Sequence, residues 1–245
     1  MIILINIIQA ELLKLKRSKI VLLSILIVLS VPILLILKEL FMERSLQYTV
    51  WAFVINALNA IVLPIMSGFF ITFLMQKEYQ DGTLINTMTA PVSRVSFVLA
   101  KLIIWLLWYV ITLLLVEITT IIGYIILFPE SFSAAEVGMT VLLLTKTGLF
   151  SFIACTPILW VTMKQKSLFY PSILVALAFT LIQAAGTQTS MEMILVASIV
   201  PWSAVSIASF IEPSSVYFAV AITSIVLCGI VSIVSSIRLF IKQDQ

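Results

Sequence analysis

Seven apolar runs, each at least eighteen residues long, occupy most of this chain: Ile20–Leu37, Val50–Met75, Leu102–Phe128, Val137–Met163, Leu168–Ala185, Met193–Ile211 and Ser214–Ile237. Two of them hold a single charge each, Glu117 and Lys146; the others hold none. A bilayer core takes about 20 apolar residues of helix. In lipid every backbone amide must find its partner within the segment, so runs of this kind form helices. The chain is therefore read as all-α and polytopic.

The remaining composition agrees. Of 245 residues, 62% are hydrophobic and 10% charged, against about 25% charged in a soluble domain. A net charge of +3 gives no footing for nucleic acid. With no histidine, a histidine base, metal site or pH sensor is excluded. Cys155 and Cys228 sit alone in apolar runs and read as small hydrophobic fillers. None of the seven glycines belongs to a phosphate-cradling G-x-x-x-x-G-K-[ST] loop, and no G-x-S-x-G occurs. An enzyme is not expected. Basic residues follow the first apolar stretch rather than precede it, so no cleaved signal is read.

Charge placement decides how many runs cross. Lys14, Lys16, Arg17 and Lys19 put the N-terminus in the cytoplasm by the positive-inside rule. Lys77, Arg94 and Lys101, then Lys164 and Lys166, mark two further cytoplasmic connections, and Arg238 and Lys242 follow the last run. Seven crossings would put that basic tail outside; six keep it inside. The sixth run, with Pro201 near its middle and Glu192 and Glu212 at its ends, is the one expected not to cross. It reads as a broken re-entrant pair over 193–211, entering from the outer face; a plain seventh span is the alternative. Ile3 to Arg17 mixes apolar positions with Asn6, Gln9 and Lys14 and reads as an interfacial helix over 2–18; a simple extension of the first span is the alternative. The expected fold is one membrane domain over 1–245, with spans at about 20–37, 51–76, 97–127, 137–162, 168–185 and 214–237.

The loop after the second span carries the most information. In Glu78-Tyr79-Gln80-Asp81-Gly82-Thr83-Leu84-Ile85-Asn86-Thr87-Met88, Leu84, Ile85 and Met88 make one apolar face. Pro91 ends this short helix over 78–90, and Ser93 caps the next. An amphipathic helix between two spans is a docking element for a soluble partner. The pattern Glu78…Gly82-Thr83-Leu84…Ala90-Pro91-Val92-Ser93-Arg94…Ala100-Lys101 resembles the corresponding loop of ABC-2-type permeases, and Ala10-Glu11-Leu12-Leu13-Lys14 to Lys19 resembles their basic entry to the first span. The resemblance implies that 78–90 is a coupling helix seated on a separate ABC ATPase subunit, with Glu78, Asp81, Gly82, Thr83, Leu84 and Arg94 transmitting its motion. It implies a homodimer with two ATPase copies, and ATP and Mg bound by the partner, none by this chain. The chain's size resembles the small permeases that protect Gram-positive cells from bacitracin or lantibiotics, so an amphiphilic peptide is the expected cargo.

Two buried charges remain. Glu117 and Lys146 fall at similar depth on the two arms of a hairpin, about 15 Å below the outer surface. They read either as an internal salt bridge or, for Lys146, as a contact to an anionic cargo. Trp51, Trp105, Trp108 and Trp202 are expected at the membrane interfaces. The predicted function is a cell-membrane permease with both termini cytoplasmic. The competing readings are a module that binds or senses a peptide without transporting it, an exporter of another lipid-like cargo, and an ATP-independent carrier.

Overall fold

Leu, Ile, Val and Phe supply the apolar surface of these runs, and breaks fall where a residue type forbids helix or offers a better partner. The computed structural model describes residues 2–16, 18–42, 46–80, 93–131, 133–165 and 168–242, and every regular element among them is a helix. In order they are α1 (Ile2–Lys16), α2 (Lys19–Phe41), α3 (Tyr48–Gln80), α4 (Arg94–Leu127), α5 (Ala134–Cys155), α6 (Pro157–Gln165), α7 (Tyr170–Gly186), α8 (Ile194–Ile199), α9 (Pro201–Phe210) and α10 (Val216–Lys242). A single 3-10 turn, Pro129–Ser131, joins α4 to α5.

Each break has a local cause. Ser18 is extended (φ −98°, ψ 121°) and its hydroxyl accepts from the Ile20 amide at 3.4 Å, so α1 and α2 are separate helices. Ser93 caps α4 as expected, its Oγ accepting from Ser96 N at 3.0 Å. Pro157 has no N–H to give and separates α5 from α6. Val200, extended ahead of Pro201, separates α8 from α9. The 193–211 run is thus two short helices, not one long one.

Among the described residues, five helices are long and apolar enough to cross a membrane: α2, α3, α4, α5 with α6, and α10. The 17-residue α7 is apolar but shorter. With this many apolar helices the chain is a multi-pass membrane protein. Several helices outrun their expected spans. The second continues to Gln80, so Glu78 lies in its last turn rather than opening a new helix. The rest of the expected coupling helix, 81–90, lies outside the described residues, as do 91–92 and Arg17.

Cross-bundle contacts show which ends share a face. The Arg94 guanidinium donates to the carbonyl of Ile241 at 2.7 Å, joining the start of α4 to the end of α10. The Gln76 amide donates to the Leu168 carbonyl, bringing the α6–α7 connection to the end of α3. At the opposite end Tyr124 donates its hydroxyl to Glu136 at 2.8 Å, and Tyr48 to the Glu136 carbonyl at 3.0 Å.

The core lies between these ends. Phe70 stacks on Trp108 with ring centroids 4.6 Å apart, over buried Ile71, Ile158 and Leu159. Of the four tryptophans expected at interfaces, Trp51, Trp105 and Trp108 are buried inside the bundle. The indoles of Trp105 and Trp108 donate to the hydroxyls of Ser67 (2.8 Å) and Ser24 (3.2 Å), which frees them from needing headgroups as partners. Trp202 is half-buried and stacks on Phe179 at 4.0 Å. The α9 helix is buried at every position from Ser203 to Ser209 and packs on α5, α7 and α10. A Cβ at Gly186 of α7 would sit 2.8 Å from the Ser203 carbonyl oxygen, so glycine there permits the close approach. Outward-facing Leu22, Leu26 and Leu34 of α2, and Leu227, Ile230 and Val231 of α10, present the apolar surface that lipid covers.

Candidate functional site

Four charges meet where α1 lies against the first turns of α4. Glu11 and Lys14 stand one turn apart on α1, Glu78 ends α3, and Lys101 sits two turns into α4. Lys14 Nζ donates to Glu11 Oε1 at 2.9 Å and to Glu78 Oε1 at 2.9 Å. Lys101 Nζ donates to Glu78 Oε1 at 2.9 Å and also to Glu11 Oε2. The result is a closed ring of alternating sign, Lys14–Glu11–Lys101–Glu78, with no formal net charge. Lys101 is only 1% exposed, Glu78 3% and Glu11 5%. Lys101 also lies over the Phe97 ring, 5.3 Å from its centroid.

Burying an ion costs several kcal/mol unless its partners are well placed. Here each buried charge has two or more. Lys14 is the ring's contact with the exterior. Burial pulls its pKa down, but the bonds to Glu78 and Glu11 and their charges outweigh it and hold the amine above its usual 10.5. A raised amine pKa means that its share of stability is complete below 10.5 and is lost as pH rises through the higher folded value. Near neutral pH Lys14 is therefore charged.

The ring fastens α1 to the two segments that flank 81–92 in the chain, the end of α3 and the start of α4. Arg94 adds a fourth. Its guanidinium reaches the Ile241 carbonyl and, at 3.5 Å, that of Phe240, where cations favourably meet a helix C-terminus. Phe97 stacks on Phe240 at 5.4 Å beside it. Glu78 and Arg94, on either side of 81–92 in the chain, are thus both tied to other helices.

Of the residues singled out from sequence, Glu78 and Arg94 belong to this cluster. Asp81, Gly82, Thr83 and Leu84 lie outside the described residues. Glu117 and Lys146 stand elsewhere, on the α4–α5 hairpin. Glu117 is buried and accepts from the Thr145 hydroxyl at 2.7 Å. No ion pair joins it to Lys146 among the described residues. Lys146 lies next along the helix, turned about 100° from the residue that holds Glu117. Sequence reasoning gave no role to Glu11, Lys14 or Lys101 in a site. Glu11–Lys14 is visible as an i, i+3 pair; the ties over 90 and 64 positions have no local signal. No group of three or more His, Cys, Asp or Glu side chains gathers as a metal site among the described residues.

Comparison with known proteins places these features in a family. A model described as an ABC-2 family transporter protein matches residues 7–183, a range that includes all four ring residues and Arg94. The bacitracin transport permease protein BCRB of Bacillus licheniformis is 29% identical over 140 residues, covering 56% of this chain. The match takes in 64% of that relative, so the chain spans just under two thirds of the length of the curated protein it matches.

Proposed function

The chain belongs to the ABC-2 family of transporter proteins, and from that premise we propose that it is the permease subunit of an ABC exporter whose ATP and Mg are bound by a separate ATPase subunit. The observation that carries this reading is the buried ring of Glu11, Lys14, Glu78 and Lys101 at the root of the 81–92 connection. A segment that is pushed by a partner moves helices only if its ends are held stiffly. The ring and Arg94 hold both ends. We read 78–90 as the coupling segment, α1 as a second contact with the ATPase, and the working unit as two permeases with two ATPases.

The topology proposed with it has six crossings, α7 being the fifth, with both termini cytoplasmic. Basic residues support the sidedness: Lys14, Lys16, Lys19, Lys77 and Lys242 stand at the end where α1, α4 and the end of α10 meet. Contacts of α9 support re-entry of α8–α9 from the outer face. The Trp202 indole donates to Ala154 O, twenty residues into α5, whereas Phe210 packs on Phe53 near the start of α3. The helix thus climbs back toward the end from which α3 and α5 set out. An amphiphilic peptide of the bacitracin or lantibiotic kind is the proposed cargo, supported by the named activity of the relative.

Purification of the tagged protein from native membranes in several mild detergents tests the reading. A stoichiometric soluble ATPase is expected, and Gly82→Pro is expected to release it while the permease stays folded. Absence of any ATPase would turn the reading toward a peptide-binding module or a carrier.

A further inference from the structure

We propose that α6 carries displacement from the end of α3 to the broken α8–α9 segment, with the Trp202–Ala154 hydrogen bond as its far link. The 134–165 stretch is long enough to cross as one helix, yet it breaks at Pro157 into α5 and a nine-residue α6. Ile158, Leu159, Thr162 and Met163 of α6 are buried, and the helix packs on α3, α7 and α10. Its C-terminal end is tied to α3. The Gln165 amide donates to Ser172 Oγ at 2.7 Å, and the Thr72 hydroxyl of α3 is hydrogen-bonded to the same oxygen at 2.8 Å. One turn further along α3, the Gln76 amide donates to the Leu168 carbonyl. Gln76 stands two residues before Glu78 of the ring, so whatever moves the end of α3 acts on these ties.

The N-terminal end of α6 is a joint. Pro157 has no N–H to offer the Ile153 carbonyl, which accepts instead from Thr156 N at 3.2 Å and from Thr156 Oγ1 at 2.8 Å. The next carbonyl, Ala154 O, accepts from the Trp202 indole at 2.9 Å. Proline breaks are where helices bend, because a backbone bond is already missing there. Trp202 is the second residue of α9, beside the Val200–Pro201 break, and its ring lies on Phe179 of α7 at 4.0 Å. Two helix breaks thus meet through one side chain, the donor on the α8–α9 segment and the acceptor at the joint. Interconversion of transport states needs an element that bends at defined points and is stiff between them. In α6 the points are Pro157 and the turn before α7, and the stiff part is the helix. This deepens the exporter reading, since the route starts beside the ring and ends on the segment proposed to enter from the outer face.

Hydrogen exchange of the purified full-length protein, with any ATPase that accompanies it, tests the link through two substitutions that remove one hydrogen bond each. Gln76→Met frees the Leu168 carbonyl, and Trp202→Phe removes the indole N–H while keeping a ring on Phe179. Gln76→Met is expected to speed exchange in peptides from α8 and α9 at least about fivefold, the lower end of couplings between separated sites. The outer half of α4 is expected to exchange as before. In Gln76→Met/Trp202→Phe the α8 and α9 peptides are expected to exchange as in Trp202→Phe alone. Linkage is reciprocal, so Trp202→Phe is expected to alter exchange at the start of α7. Thr72→Val, which loosens the same connection through Ser172, takes the place of Gln76→Met should that variant fail to fold. Unchanged exchange in α8 and α9, a rise shared by every helix, or a full response in the double variant overturns the proposal. The readout needs no transport. Coupled exchange in a protein with which no ATPase purifies would sink the exporter reading and keep the link; an accompanying ATPase without coupled exchange would do the reverse.

Discussion

Lys101 is the residue on which the ring depends, since it is the only one of the two lysines that is fully buried. Replacing it with methionine leaves Glu11 Oε2 without its partner and Glu78 with Lys14 as its remaining lysine. Breaking a buried pair in this way costs about 3–5 kcal/mol, mostly as the burden of the stranded charge. Lys101→Met is expected to lower the melting temperature sharply in detergent. Glu11→Gln/Lys101→Met, which removes one charge of each sign, is expected to melt above Lys101→Met alone. A double variant no better than the single would show that the two residues do not act as a pair. The ring also marks where sequence reading stops. Glu78 and Lys101 were legible as parts of a motif, and Glu11 as part of a basic entry segment, but their convergence depends on how α1 folds back over α4. The buried Glu117 was legible too, whereas its partner was not. A hydroxyl one position from Lys146 meets it first.

The most enclosed element is α9, and its packing depends on a small residue across from it. A side chain at Gly186 would press on the Ser203 backbone, which cannot swing aside as a flexible side chain can. Gly186→Val is expected to cost about 1–3 kcal/mol by overpacking and to shift the fluorescence of Trp202, one position before Ser203. Gly138→Val is the control, since a Cβ there meets nothing within 4 Å. Loss of stability in both variants alike would point to helix propensity rather than to the α7–α9 contact. The break between α8 and α9 was readable because Pro201 forces it. The burial of Ser203–Ser209 was not, because a Ser/Ala-rich stretch gives no hydrophobic stripe to follow. Its serines bond to carbonyls, two of them on their own helix or the turn before it, and so pack as small apolar residues do.

At the scale of the molecule, hydrogen bonds and ion pairs bring α1, the end of α3, the start of α4 and the end of α10 to one face. Epitope tags at residues 1 and 245 are therefore expected to face the same compartment in right-side-out and inverted vesicles. Tags in opposite compartments would contradict the six crossings proposed above. Apolar length and the distribution of lysine were enough to anticipate a helical multi-pass architecture, because lipid leaves the backbone few alternatives. Helix ends were less legible, since apolar runs stop at the lipid boundary while helices such as α3 continue past it.

The ring has a further consequence for how the protein is made. Its members are synthesised in the order Glu11, Lys14, Glu78, Lys101, and Lys101 follows Glu11 by 90 positions. Chains fold from the N-terminus as they emerge. Until α4 arrives, the members of the ring already made are two carboxylates and one amine, a local excess of one negative charge that resists burial against the first helices. Lys101 neutralises it. Seating of α1 is thereby expected to wait for the third long helix, and an arrested chain ending before residue 101 is expected to leave α1 open to proteolysis.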